Sequence, residues 1–306
     1  MASRTVRATR TVSVADAASG LLLLRLVAVG RAVTAVSAKN PRAEAVHRLR
    51  VSARRASATI TAFRSLIPRR QRRWFKNSLR RMRHAAGEAR DLDVFAARCR
   101  ESSSAQASGA GATARRRLTQ LLEKKRPETR RGLGAGIADL RTPEWEAQSA
   151  AVVAAVASAK TTETIAAFAD RRSRRFVSRF LARLDHRLRD DRDIHRLRIE
   201  TKKLRYVLEA FAAGMPPSAS AACDRTLRRL QTRLGEFTDH AAAAERLRLW
   251  LRREEFARVR QTLVAARRQE SASAKRARRD CIRWWTASRR EAIARQLRRT
   301  LEGKTA

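Results

Sequence analysis

The chain has 306 residues, of which 70 are Lys or Arg and 29 are Asp or Glu, giving a formal charge of +41. Hydrophobic residues make up 43%, enough for a real core, which excludes a disordered basic tail. Gly (11) and Pro (6) are scarce beside Ala, Arg and Leu, so helices are expected almost throughout. A charge this large repels itself unless a polyanion offsets it, which points to nucleic acid, an anionic membrane or another phosphate-rich polymer. Cys99, Cys223 and Cys281 lie far apart without a CxxC pair. That argues against a disulfide scaffold or zinc ribbon and for a reducing cytoplasm.

At the N-terminus, Arg4, Arg7 and Arg10 precede the apolar run Leu21–Val29, and Ala35-Val36-Ser37-Ala38 loosely resembles a leader-cleavage site. Arg25 inside the run and Asp16 before it argue otherwise, and the run is too short to span a bilayer. The pattern predicts an amphipathic helix over about 14–38, with 1–13 and 301–306 as flexible termini. Asn40-Pro41 signals the start of a helix carrying His47, which Pro68 closes. A helix over about 69–98 follows, then a Ser/Gly/Ala-rich loop at 101–113, and Thr142-Pro143-Glu144 opens another helix. A helix over about 163–189 comes next. Asp190-Asp191-Arg192-Asp193 suits the positive end of the helix carrying His195, and Gly214-Met215-Pro216-Pro217 closes it. The last helix read from the pattern covers about 218–252.

The chain repeats itself. Val46-His47-Arg48-Leu49-Arg50-Val51 aligns with Ile194-His195-Arg196-Leu197-Arg198-Ile199 at an offset of 148. In the same register Arg54-Arg55 meets Lys202-Lys203, Ala62-Phe63 meets Ala210-Phe211, and Pro68 meets Pro216. Further on, Gly87-Glu88 meets Gly235-Glu236 and Asp91 meets Asp239. The protein is a tandem duplication with copies over 14–150 and 151–300, each reading as a helical bundle.

At 100° per residue, Leu49, Ala53, Ala56, Ile60, Phe63 and Ile67 form one stripe, the expected core face. His47, Arg50 and Arg54 fall nearly opposite. The second copy places Leu197, Leu204, Leu208 and Phe211 inside, with His195, Arg198, Lys202 and Arg205 outside. Lys76, Arg80, Arg83 and Arg90 follow the same rhythm on the next helix, joined by Arg225 and Arg228. Cations at this spacing repel when unliganded, and bundle stability does not ask for them. A linear polyanion lying along the helix does. Gly87 and Gly235 recur mid-helix, which suggests close helix approach. Asp91 and Asp239 stand one turn later, placed to hold an Arg or the His. The runs Lys124-Lys125-Arg126, Arg171–Arg175 and Lys275–Arg279 have no second copy and are read as solvated faces.

His47-Arg48-Leu49-Arg50-Val51-Ser52-Ala53-Arg54-Arg55, followed by Gly87-Glu88-Ala89-Arg90-Asp91-Leu92-Asp93-Val94, resembles the CHAD family, the conserved histidine α-helical domain. His195-Arg196-Leu197-Arg198-Ile199-Glu200-Thr201-Lys202-Lys203-Leu204-Arg205-Tyr206 resembles that family's second half. The resemblance implies an all-α fold of two four-helix bundles related by pseudo-twofold symmetry, whose basic helices face each other across a central cleft. It also implies non-catalytic binding of inorganic polyphosphate and association with polyphosphate granules. The binding residues so expected are His47, Arg50, Arg54, Arg55, Lys76, Arg80, Arg83 and Arg90 from the first copy. The second copy supplies His195, Arg198, Lys202, Lys203, Arg205 and Arg228. The copies differ: Ser57 stands opposite Arg205, and Gln231 and Thr238 replace Arg83 and Arg90, so unequal contributions are expected. The Glu-x-Glu-x-Lys strand motif of the CYTH domain, which many relatives carry, is missing, so a stand-alone binding module is expected.

No P-loop, no defensible Ser/His/Asp order and no Mg²⁺-holding carboxylate cluster is present, so an enzyme is not expected. Arginines beside His47 and His195 repel metal, and no HExxH-like spacing exists; no cofactor or metal is expected. A bound polyanion would raise the pKa of those histidines, so binding is expected to tighten as pH falls. Nonspecific nucleic-acid binding at low salt is the rival reading, and membrane insertion is not expected.

Overall fold

A computed structural model of the chain describes residues 11–38, 41–104, 110–140, 143–184 and 188–301. Among these residues the fold is all-α. The first copy contains α1 (Val14–Val36), α2 (Ala43–Ala62), α3 (Arg69–Ser104), α4 (Ala110–Gly136) and α5 (Pro143–Ala157). The second contains α6 (Ile165–Leu184), α7 (Asp191–Ala210), α8 (Pro217–Trp250), α9 (Arg260–Trp284) and α10 (Ala287–Leu301). Each copy thus carries a fifth helix beyond the four implied by the resemblance. The 148-residue offset runs through the boundaries: α2 and α7 begin and end that far apart, α3 and α8 begin so, and α4 and α9 end so.

Side-chain caps start two of the helices. Ser13 Oγ accepts from Ala15 N at 3.1 Å to cap α1, and Asp190 Oδ1 accepts from Asp193 N at 2.8 Å to cap α7. Helix α2 departs from the expected start. It begins at Ala43 after an extended Arg42 with no side-chain cap, and Asn40 lies outside the described residues. The expected loop at 101–113 is largely helical, since α3 runs to Ser104 and α4 starts at Ala110; 105–109 lie outside the described residues. Of the expected flexible termini, 1–10 and 302–306 also lie outside them. Helix α5 runs through residue 150, where the sequence pattern divides the copies, and packs on α1.

Both predicted core stripes are buried: Leu49, Ala53, Ala56, Ile60, Phe63 and Ile67 in one copy, Leu197, Leu204, Leu208 and Phe211 in the other. Burying side chains of this size contributes roughly 1.5–3 kcal/mol each for the larger ones. Across the copies α1 meets α6, α2 meets α7 and α4 meets α9, so like packs on like. Phe63 and its counterpart Phe211 meet edge-on at 5.7 Å, and Phe168 stacks on Phe63 at 5.6 Å. Gly214 is required beside this joint. A Cβ there would sit 2.3 Å from the Ile165 carbonyl oxygen.

A second, separate core lies farther along. Leu92, Phe95, Leu118 and Leu122 of α3 and α4 pack with Leu247, Trp250, Phe256, Val259 and Leu263 from the end of α8, a 3-10 turn (Glu254–Val259) and α9. The stretch of α3 up to Ala89 and of α8 up to Phe237 belongs to the first core. Residues 90–91 and 238–246 therefore stand where the two cores part.

Helix α1 corrects one expectation. At 23 residues it is, among the described residues, the one helix long and apolar enough to cross a membrane by length and composition. In this fold Val14, Ala18, Leu22, Leu26, Val29, Val33 and Val36 are buried, while Leu23, Leu24 and Val27 are exposed.

Candidate functional site

Because the apolar stripes of α2 and α7 are turned into the first core, their cationic faces are left on the other side, and the two helices touch. Arg50 reaches from α2 to α3, where its Nη1 lies 3.3 Å and 3.4 Å from the carbonyl oxygens of Ala86 and Gly87, to which it donates. Arg198 lies over Gly235 in the same way but pairs with Asp239 instead of a helix carbonyl. A Cβ at Gly87 would meet Arg50 Nη1 at 3.8 Å, and one at Gly235 would meet Arg198 Nη2 at 3.7 Å. The repeated glycine therefore marks the seat of an arginine side chain, rather than the close approach of two helix backbones read from the sequence.

The electrostatics tie the two copies together. Lys202 of α7 is pushed down to about 8, first by burial and then by Arg198 of its own helix and Arg54 of α2, with Asp239 pulling the other way and Arg50 adding to the depression. Burial lowers Arg50, and Arg54, Arg90 and Arg83 press on it further against the opposing effect of Asp91. Burial likewise lowers Arg83, aided by Arg54 and Arg80. His47 is lowered by burial, then by Arg90 and Arg54, with Glu44 opposing and Arg50 adding. So His47, Arg50, Arg54, Arg80, Arg83, Arg90, Arg198 and Lys202 share one locality. Two unit charges about 6 Å apart repel by roughly 3 kcal/mol at an effective dielectric near 20, before salt screening.

Acids neutralise this cluster unevenly. Arg198 Nη2 pairs with Asp239 Oδ1 at 2.7 Å. The first-copy counterpart, Asp91, is instead taken by Arg246 of the other copy. Among the described residues no carboxylate pairs with Arg54, Arg83, Arg90 or Lys202. Thr238, opposite Arg90 in the repeat, is buried and donates to the Leu234 carbonyl at 3.0 Å.

The remaining sequence-derived residues stand apart. Arg55 Nε lies 2.8 Å from Glu209 Oε1, which Arg25 also contacts at 2.9 Å, so this pair joins the copies and explains the arginine within the apolar run. Lys203 pairs with Glu200 at 2.9 Å. Arg205 lies over the Tyr206 ring at 4.4 Å and shares Asp224 with Arg228, at 3.5 Å and 2.5 Å. His195 and Lys76 are exposed, and among the described residues no carboxylate pairs with either.

Several solvated-face readings need correction. Lys125 bridges Glu128 at 2.9 Å and Glu255 of the other copy at 2.5 Å. Arg126 joins Asp93 at 3.1 Å, and Arg130 holds the same buried carboxylate at 2.8 Å. Arg172 is buried between the Phe168 and Phe176 rings. The pairings of Asp93, Arg130, Glu209 and Arg246 are not visible in the sequence because their partners are 33 to 184 residues away. Among the described residues no three His, Cys, Asp or Glu side chains gather as metal ligands would.

The pattern described as the CHAD domain matches residues 24–248 of the chain. The solved CHAD domain from the plant Ricinus communis superposes with a TM-score of 0.71 at 22% identity, over 90% of this chain and 92% of that one. PptA from Streptomyces chartreusis gives 0.59 at 19% identity, over 90% of this chain and 99% of that one. At these identities the likeness of the two structures speaks for the fold. No curated protein matches the chain.

Proposed function

Because this chain belongs to the CHAD domain family, we propose that it binds inorganic polyphosphate, without turning it over, along the cations gathered at the α2–α7 contact. The observation that carries this reading is the group Arg50, Arg54, Arg83, Arg90 and Lys202, drawn from both copies and, among the described residues, left without carboxylate partners. Polyphosphate bears about one charge per phosphate on a flexible chain. Guanidinium forks bind such oxygens through short charge-assisted bonds, often two at a time. Released counterions supply much of the free energy, so affinity falls steeply with salt. Asp91 and Asp239, the carboxylates that act on Arg50 and Lys202, are each held by an arginine, which suits binding better than acid–base chemistry. In this reading the protein works in the cytoplasm and sits on polyphosphate granules.

The test is a binding titration across salt concentrations, with long-chain polyphosphate and duplex DNA in competition. Wild type is compared with a variant carrying Arg50→Ala, Arg54→Ala, Arg198→Ala and Lys202→Ala. The expected result is loss of polyphosphate binding in the variant and release of DNA by modest polyphosphate in the wild type. A variant that binds polyphosphate like wild type removes the site. Wild type that keeps DNA in preference favours the nucleic-acid reading.

A further inference from the structure

A separate cavity of about 830 Å³ opens on another flank of α7, between the end of α6 and the start of α7. Arg179 and Arg183 project into it from successive turns of α6, Arg189 from the connection, and Arg196 from the first turns of α7. Two carboxylates also line it, and both are engaged. Asp193 Oδ2 accepts from Arg189 N at 3.0 Å, and Glu200 pairs with Lys203 at 2.9 Å. Among the described residues none of the four guanidinium groups has a carboxylate partner. Among the described lining residues four cations stand against two acids, around a concavity whose wall includes Leu188 and Leu197.

This cavity is not the first site seen from behind. On a helical wheel Arg196 and Glu200 lie some 100–140° from His195, whereas Arg198 and Lys202 lie on its other side, toward the cluster described above. Nor is it duplicated. In the 148-residue register Arg179 keeps a counterpart in Arg31, but Arg183, Arg189, Asp193 and Glu200 correspond to Ala35, Pro41, Ala45 and Ser52, and Arg48, opposite Arg196, has Glu44 3.9 Å away.

We propose that this cavity is a second, independent anion site that takes a compact ligand carrying a triphosphate group. One arginine can grip one phosphate through two parallel bonds, and four arginines around one concavity match three adjacent phosphates better than a single one. The shared chemistry is the triphosphate, from inorganic tripolyphosphate or from a nucleoside triphosphate whose base would meet Leu188 and Leu197.

The experiment titrates tripolyphosphate and ATP separately by calorimetry at about 0.15 M salt, where distant surface charge is screened. Three proteins are compared: wild type, the pocket variant Arg179→Ala/Arg183→Ala/Arg196→Ala, and a variant of the first site, Arg50→Ala/Arg54→Ala/Lys202→Ala. The pocket substitutions remove exposed side chains, and circular dichroism checks that the helices persist. The expected result is two binding events for the triphosphate in wild type, one weakened more than about tenfold in the pocket variant and the other in the first-site variant. Binding of tripolyphosphate as tight as ATP identifies an inorganic chain, and tighter ATP identifies the nucleoside form. Failure of both to bind wild type, unchanged affinity in the pocket variant, or loss only in the first-site variant overturns the proposal. Long-chain polyphosphate binding that survives the first-site variant instead counts against the proposed function and leaves this cavity standing.

Discussion

Arg198 is held by Asp239 at 2.7 Å, whereas its counterpart Arg50 rests on helix carbonyls because Asp91 has been captured by Arg246 of the opposite copy. One duplicated pair thus has two fates. In the second copy the acid neutralises the site, and in the first it holds the copies together, leaving Arg50 free of a carboxylate. Together with Thr238 in place of Arg90, this makes the first copy the more strongly cationic wall.

Asp239 competes with any anion for Arg198. Asp239→Asn is expected to tighten long-chain polyphosphate binding by several-fold, since a charged hydrogen bond contributes roughly 1.5–3 kcal/mol and part of it must be broken on binding. Fluorescence anisotropy at fixed salt reads this directly, and unchanged or weaker binding counts against competition.

Binding is expected to take up a proton through Lys202. This amine faces Arg198 on its own helix, Arg54 and Arg50 on α2, and Asp239 on α8, and it sits at about 8 in the free protein. A polyanion restores its proton, so affinity falls as pH rises above about 8. Stability moves the other way. Between about 8 and the ordinary 10.5 the unfolded chain keeps a proton the native state has released, so the native state gains stability as pH rises through that window. Lys202→Arg stays charged and should flatten the pH dependence of binding between pH 7 and 9. His47, held below its ordinary value, adds proton uptake at lower pH.

Two glycines should respond oppositely to alanine. At Gly214 the new methyl meets the Ile165 carbonyl oxygen at 2.3 Å, a backbone atom that cannot step aside, so a loss of about 1–3 kcal/mol is expected. At Gly87 it meets a flexible guanidinium at 3.8 Å, and helix propensity should gain up to about 1 kcal/mol. Denaturant midpoints of the two variants, measured together, check the contrast.

Asp93 is buried with two arginines, Arg130 and Arg126. Asp93→Ala leaves Arg130 buried and unpaired, for which a loss of about 3–5 kcal/mol is expected. Replacing Asp93→Leu together with Arg130→Met should recover most of that loss, because the buried arginine is gone and the half-buried Arg126 keeps Glu123 at 2.7 Å. Urea unfolding of the single and double variants decides it.

The pattern of residues made the core stripes of α2 and α7 legible, because a helix has one period and burial follows it. The 148-residue register carried further than motifs alone, down to helix ends at Ala62 and Ala210. Duplication also pointed to Arg50, Arg54, Arg198 and Lys202, whose cationic column has no use in an isolated bundle. Which of the expected cations engage carboxylates was not legible there: Arg55, Lys203, Arg205, Arg228 and Arg198 all do. Glu209 stands opposite Thr61 in the repeat, so no comparison of the copies could reveal that it binds Arg25 and Arg55.

Fold class, periodicity and duplication are local or self-referential properties, and a linear chain of residues carries them openly. Which cations remain unneutralised is another kind of property. It depends on where each carboxylate lands once helices far apart in the chain are packed: Asp91 on Arg246, Glu209 on Arg55, Asp93 on Arg130. Coulomb energy and desolvation depend on distance in space, and only the packed helices set those distances.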